Sequence, residues 1–137
     1  MKLIKSLLTK KDEAKIFEWF MEHSLEKIGE ILERNKVISF RAEIDGEIVG
    51  YVALEMFYGQ PHVNYLIVHK KYRLKGIGTK LMEKAFEFGK ENGSSFICVS
   101  TFSFQAPNFY QKLGFKVDFV RAGYAKNTSL YYLSKPL

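Results

Sequence analysis

The sequence has 137 residues and a formal net charge of +6, with 47% hydrophobic and 26% charged residues. This length and composition predict one folded domain over residues 1–137 and exclude a disordered or low-complexity chain. No apolar run reaches the ~20 residues of a membrane span. The N-terminus is interrupted by lysines and lacks a signal-peptide core.

A single cysteine, Cys98, cannot form an internal disulfide, and it has no cluster of ligands that would hold a structural zinc ion. We therefore expect a cytoplasmic protein without a metal. The excess of basic residues suits a polyanionic partner, such as nucleic acid, anionic lipid or a phosphorylated cofactor. Solvated lysine faces on helices explain the charge equally well.

The N-terminal part is predicted to hold a short strand over Lys2–Leu8 and two helices. Apolar residues recur at helical spacing over Asp12–Phe20. A second helix fits Leu25–Glu33, with Ser24 as its N-cap.

The next part has the composition of a sheet. A strand over Val37–Glu43 is followed by Asp45-Gly46, a strong hairpin signal because a type I′ turn needs positive φ at both positions. The partner strand runs over Ile48–Phe57. Gly59-Gln60-Pro61 then interrupts the chain before another strand, His62–Val68.

The remainder alternates between helix and strand. An amphipathic helix over Gly76–Gly93 precedes a buried strand, Ser95–Thr101, and a short helix over Pro107–Leu113 precedes the strands Phe115–Val120 and Ser129–Leu133. The strand–helix–strand crossover requires two neighbouring parallel strands. These elements predict a mixed α/β (α+β) fold, with helices on both faces of a twisted sheet.

Two glycines, Gly76 and Gly78, begin the long helix directly after a basic loop that contains Arg73. Backbone N–H groups and the helix dipole make such a turn an anion-binding cradle. Leu81 stands where a dinucleotide fingerprint needs its third glycine, and the spacing of a Walker A loop is missing. Glycines that serve only the shape of the turn are the alternative explanation.

The pattern Arg73-x-x-Gly76-x-Gly78 after a Leu-x-Val strand end resembles the acetyl-CoA signature of the GNAT acetyltransferases. The segment Ala106–Phe115 is similar to their second motif, Ala-x-x-Phe-Tyr-x-x-x-Gly-Phe. The resemblance implies a mostly antiparallel sheet with a central, splayed parallel strand pair. It also implies an N-acetyltransferase that moves acetyl from acetyl-CoA to a primary amine, on either a small molecule or a peptide.

The resemblance implies roles for particular residues as well. Tyr110 would be the general acid beside the cofactor sulfur, and Ser103 stands where many members have an asparagine that contacts the pantetheine. The other cofactor-binding residues would be the strand end, Leu66, Ile67 and Val68, and the loop and helix start, Arg73, Leu74, Lys75, Gly76, Ile77, Gly78 and Thr79.

Glu55 and His62 are candidate general bases, because both lie on strands that face the expected opening; each is also explained as an ordinary polar residue. Cys98 is a candidate nucleophile, although inert packing is the simpler explanation. Tyr58, Phe104 and Tyr124 lie in predicted loops, where they would either shape an acceptor pocket or pack on the surface.

Two other functions stay open at this point. A non-catalytic acyl-CoA-binding protein would keep the cradle and need no acid. A basic nucleic-acid-binding protein would use the +6 charge, but the sequence has no motif that supports it. We expect no nucleic-acid or membrane partner, and a homodimer is conceivable through the final strands.

Overall fold

The computed structural model describes residues 1–30 and 37–137. It divides into two compact units, Met1–Arg34 and Asn35–Leu137, which are described separately below.

Over residues 1–30, the first unit contains one helix, α1 (Lys10–Ile28). It begins at a capping box, in which the Asp12 N–H donates to the Thr9 hydroxyl at 3.2 Å and the Thr9 N–H donates to the Asp12 carboxylate at 2.9 Å. It ends at Gly29, whose φ of 73° is the left-handed conformation of a helix C-cap.

Two predictions for this unit are wrong. Lys2–Leu8 is not a strand, since residues 1–9 form neither helix nor strand. Asp12–Phe20 and the described part of Leu25–Glu33 are not two helices, because no glycine or proline separates them and α1 runs through Ser24. The last three residues of the second predicted helix, 31–33, lie outside the described residues.

The second unit is a mixed sheet of six strands in the order β1-β2-β3-β4-β6-β5. β3 and β4 are parallel, and every other neighbouring pair of this sheet is antiparallel. The strands are β1 (Val37–Ile44), β2 (Glu47–Phe57), β3 (Gln60–Val68), β4 (Phe96–Phe102), β5 (Lys116–Tyr124) and β6 (Thr128–Pro136). The helices of this unit are α2 (Ile77–Glu91) and α3 (Pro107–Lys112).

Each predicted strand after residue 36 and both predicted later helices are present, with shifted ends. The hairpin turn is confirmed, because Asp45 and Gly46 have φ values of 51° and 80°. Gln60 and Pro61 belong to β3 rather than to a break. Pro61 is tolerated there because the pairing of β3 with β4 begins only at His62. β5 and β6 extend beyond their predicted ends.

The hydrophobic core lies between one face of the sheet and α2, which contacts β1, β2, β3 and β4. Every second residue of each strand points to this face. The side chains that are almost fully buried there include Val52, Leu54, Met82, Ile97 and Leu133. This packing fixes α2, and with it the turn that enters α2 from the end of β3.

Candidate active site

The middle of the sheet opens where β3 and β4 separate. Both strands lie wholly within the described residues, and their pairing covers only His62 with Cys98 and Val63 with Val99. Beyond these two pairs, the backbone N–H and C=O groups on the facing edges of β3 and β4 are not paired with a neighbouring strand. Such free strand edges can accept an extended ligand as a substitute strand.

A bulge in β3 accompanies this separation. Ala53 of β2 faces Tyr65, whereas Leu54 faces Val63, so Asn64 is the additional residue in β3. A bulge bends its strand and turns the inserted side chain in a new direction. Asn64 therefore lies where the two strands part, outside the regular alternation of β3.

A cleft of about 650 Å³ occupies the opening. Its walls come from β1 to β4, from the turn after β4 and from α3. The lining residues are Ser39, Tyr51, Ala53, Val63, Asn64, Tyr65, Leu66, Ile67, Val99, Ser100, Thr101, Gln105, Ala106 and Tyr110.

Tyr110 lies at the inner wall of this cleft and is only 5% exposed. Its ring meets those of Phe109 and Phe115 edge to face, with centroids 5.3 and 5.5 Å apart. Burial raises the pKa of the Tyr110 phenol to about 12. The phenol is therefore protonated at neutral pH and can act as a hydrogen-bond donor toward the cleft.

Asn64 connects the two candidate bases. Its amide Nδ2 donates to Glu55 Oε2 at 3.0 Å, and its Oδ1 lies 3.1 Å from His62 Nδ1. An ionised carboxylate only accepts hydrogen bonds, so Asn64 must direct its NH₂ group to Glu55 and its oxygen to His62. His62 Nδ1 then carries the proton, which leaves Nε2 of the neutral ring as an acceptor.

The structure therefore brings Glu55 and His62 together through Asn64. Asn64 lines the cleft, whereas Glu55 and His62 do not.

Cys98 stands beside His62 in the parallel register and is half-buried. Burial, and secondarily the charge of Asp118, raises the pKa of the Cys98 thiol. The thiolate that a nucleophile requires is consequently disfavoured.

The turn from β3 into α2 forms the predicted cradle. Gly76 is the N-cap with φ 76°, and no side chain caps the helix or places an acid in its first turn. The first helical bond runs from Lys80 N to Gly76 O at 3.1 Å. The N–H groups of residues 77–79 precede this bond and are left for an anion. Arg73 Nε donates to Val68 O at 3.1 Å, which holds this cation against the end of β3.

The other predicted residues are distributed as follows. Leu66 and Ile67 line the cleft. Ser103 does not line it; its hydroxyl accepts from Ser129 N at 3.1 Å, so a role for Ser103 in cofactor binding stays a prediction. Phe104 and Tyr124 each pack against the ring of Phe102, and both line a second pocket. Tyr58 lies in the β2–β3 turn and does not line that pocket.

The sequence analysis missed several residues of the cleft lining, among them the polar residues Asn64 and Gln105. Asn64 is the one polar amide within the run Val63–Val68, whose other residues are apolar or aromatic, and this interruption is the signal that could have revealed it. Gln105 lines the cleft while its Oε1 accepts from Phe102 N at 3.0 Å. No local pattern identifies Gln105, because its position depends on how the chain turns after β4.

Over residues 1–30 and 37–137, no helix combines the length and the apolar character that a membrane crossing needs. The same residues contain no group of three or more His, Cys, Asp or Glu side chains arranged to hold a metal ion.

Comparison with known proteins places this chain in a family. Residues 4–115 match the Acetyltransferase (GNAT) family. An N-alpha-acetyltransferase of Sulfurisphaera tokodaii is 31% identical over 137 aligned residues, covering 88% of this chain and 77% of that protein.

Solved structures agree with this assignment. The crystal structure of an acetyltransferase from Bacillus cereus has a TM-score of 0.83 and 27% identity, and the match covers 99% of this chain and 98% of that one. A Bacillus anthracis acetyltransferase, solved in complex with acetyl coenzyme A, shares the fold at a TM-score of 0.69 and 23% identity, over 80% and 67% of the two chains. The chain therefore belongs to the GNAT acetyltransferase family and is an acetyl-CoA-dependent N-acetyltransferase.

Proposed function

We propose that the acceptor is the α-amine of a peptide N-terminus, and that acetyl passes to it directly within the cleft between β3 and β4. The observation that carries this proposal is the position of Tyr110 and Asn64 in the lining of one cleft, with His62 behind Asn64. The relative named N-alpha-acetyltransferase supports the acceptor class.

Acetyl-CoA fits the two open features of the site. Its pantetheine arm would lie along the free edge of β3 at Leu66, Ile67 and Val68, where amide hydrogen bonds substitute for a strand. Its pyrophosphate would occupy the start of α2. The loop residues Arg73, Leu74 and Lys75 would add positive charge or backbone N–H groups, and the helix start would contribute Gly76, Ile77, Gly78 and Thr79.

The acidity of the acceptor favours an α-amine. At pH 7 on the order of a tenth of such amines are neutral, since their pKa is about 8, whereas fewer than about one lysine side chain in a thousand is neutral. A modest base then suffices. Nε2 of His62 can take the proton through a water molecule, since His62 stands one hydrogen bond behind the cleft wall.

Tyr110 would donate to the sulfur as it leaves. The pKa of about 12 makes this phenol a poor match to a thiolate whose conjugate acid has a pKa near ~8.5. A hydrogen bond to the developing charge therefore accounts for its role better than complete proton transfer. Because the Cys98 thiol is hard to ionise, direct attack by the amine is favoured over a covalent enzyme intermediate.

Homodimerisation and a cytoplasmic location stay predictions. β5, the edge strand that would pair in a dimer, has register irregularities at two places. Such bulges usually protect an edge from pairing.

The acceptor class can be tested with two versions of one peptide that contains an internal lysine. The version with a free N-terminus should be acetylated at that amine, and blocking the N-terminus should lower the initial rate at least about tenfold, given the amine acidities above. Thiol release gives the rate, and mass spectrometry gives the modified atom. Equal rates for the two versions, or faster transfer to a polyamine of equal concentration, would contradict a peptide α-amine acceptor.

The cradle is tested by Gly78→Asp against Gly78→Ala. A Cβ at Gly78 would lie 3.4 Å from Phe109 Cζ, an ordinary contact, so both variants should fold. A carboxylate ~5 Å from a phosphate costs about 3 kcal/mol at an effective dielectric of 20, or on the order of a hundredfold in affinity. Calorimetry should show this loss of acetyl-CoA affinity for Gly78→Asp alone. Equal affinity of the two variants would exclude this position of the pyrophosphate.

Removal of the Tyr110 hydroxyl should slow turnover about tenfold to a hundredfold, at or just below the lower end of general acid catalysis, because a phenol of raised pKa is a weak acid. Tyr110→Phe keeps the buried ring, so folding and acetyl-CoA affinity should stay near wild type. Tyr132→Phe, outside the cleft, is the control. Since Tyr110 is protonated below its pKa of about 12, the wild-type rate should show no decline from its ionisation up to pH ~10. Unchanged turnover in Tyr110→Phe would remove the hydroxyl from the mechanism.

His62→Ala should lower kcat/KM about tenfold to a hundredfold at pH 7, and much of this deficit should disappear at pH 9. The reason is that an α-amine is already neutral at pH 9 and no longer needs a base. Cys98→Ala, the neighbour in register, is the matched control and should follow the wild-type pH profile. A His62→Ala deficit that is constant between pH 6 and pH 9 would show that His62 does not act as the base.

A further inference from the structure

A second cavity lies beside the cleft. This aromatic pocket, of about 530 Å³, is lined by Phe102, Phe104, Tyr124, Ala125, Lys126 and Thr128. The Phe102 and Phe104 rings are nearly parallel, at 12° with centroids 5.8 Å apart, and Tyr124 stands almost perpendicular to Phe102 at 5.4 Å. The walls are therefore mainly aromatic faces and edges.

Hydrogen bonds hold the two sides of the pocket together. Ser103 N donates to Ser129 O at 2.8 Å, and Ser129 N donates to the Ser103 hydroxyl at 3.1 Å. Phe102 N donates to the Gln105 side chain at 3.0 Å. Thr128 Oγ1 donates to Ala125 O at 2.8 Å. The aromatic rings thus project from a turn that is bonded to β6 and not from a loose loop.

The backbone on the opposite side is strained. Lys126 and Asn127 both have φ of 55°, a left-handed conformation that residues other than glycine adopt less readily. Thr128 and Ala125 close this turn by the hydrogen bond given above. Strain of this kind persists where the surrounding structure enforces it, and it is frequent at ligand-binding sites.

The pocket shares a wall with the cleft. Thr101 and Gln105 line the cleft, whereas Phe102 and Phe104, which lie between them in the chain, line the pocket. Ser100 also lines the cleft, and side chains two residues apart in a strand, such as Ser100 and Phe102, point to the same side of the sheet, so the two cavities are neighbours along β4. A molecule with its amine in the cleft can consequently reach the pocket with an adjacent group.

The chemistry of the pocket restricts what this group can be. Phe104 is 71% exposed, so an apolar group that covers its ring gains hydrophobic contact. Lys126 provides a cation at the wall, and among the described residues it forms no ion pair. A second cationic group on the acceptor would be repelled, which disfavours polyamines and lysine-rich peptides.

We propose that the aromatic pocket binds a bulky, uncharged, apolar side chain in the first two residues of the acceptor peptide. This inference rests on the proposed peptide α-amine acceptor and names the class of N-terminus that the enzyme selects. The pocket is a specificity determinant and takes no part in the chemical step.

The test compares two pairs of peptides, Met against Ser at the first residue and Leu against Ser at the second. In at least one pair, kcat/KM of the wild-type enzyme should be tenfold or more higher for the apolar peptide. In Phe104→Ala this preference should fall to threefold or less through a higher KM for the apolar peptide. The KM for acetyl-CoA and the kinetics with the serine peptide should stay unchanged.

Two further variants sharpen the test. Phe57→Ala removes another exposed phenylalanine, which lies outside the pocket, and it should keep the wild-type preference. Lys126→Glu should raise kcat/KM at least threefold for a peptide with lysine in the selected position. An apolar preference that Phe104→Ala leaves intact, or that Phe57→Ala abolishes equally, would overturn the proposal.

Failure of the proposed function gives a different result. If the wild-type enzyme acetylates a small amine but none of the peptides, the acceptor assignment is wrong. Binding of the acetylated Met and Ser peptides can then be followed by NMR without turnover. Shifts at the Phe104 and Tyr124 amides with the acetyl-Met peptide alone support the pocket as an apolar site, and no shift with either peptide refutes it.

Discussion

The site depends on one interruption of the sheet, namely that β3 and β4 pair over only two residues before they part. The bulge at Asn64 bends β3 away, and α2, packed on the core face, fixes the turn that leaves the end of this strand. The free strand edges, the first turn of α2 and the inner wall at Tyr110 then surround one opening. With continuous pairing the same residues would form an ordinary buried parallel pair, with no room for a thioester.

Burial of Tyr110 is a compromise between position and acidity. The contacts with Phe109 and Phe115 fix the ring and exclude water, but the same low-polarity surroundings raise the pKa of the phenol to about 12. A more exposed tyrosine would be a stronger acid, but its hydroxyl would be held less firmly in position. For a thiolate, which is already a fair leaving group, an oriented hydrogen bond is worth more than acidity, and this favours the arrangement found here.

The features that the sequence predicted well are those that local chemistry determines. Asp45-Gly46 requires a particular turn, and Gly76 and Gly78 begin a helix whose apolar stripe is plain. The division of α1 into two predicted helices arose because Ser24 was taken as a cap, whereas the Thr9–Asp12 box and Gly29 set the actual ends of α1. The link from Glu55 through Asn64 to His62 was out of reach, because it depends on a bulge that only strand register reveals. The packing of both Phe104 and Tyr124 against Phe102 likewise depends on the distant pairing of β4 with β6.

The neighbouring positions of the two cavities along β4 have a consequence for how such an enzyme can diversify. Thr101 lines the cleft and Phe102 lines the neighbouring pocket, so two adjacent residues shape two different cavities. Substitutions at Phe102, Phe104 or Tyr124 can change the shape of the pocket while the free strand edges and the first turn of α2 stay intact. A lineage could in this way explore new acceptors in single steps, each of which passes through a protein that still binds its acyl donor.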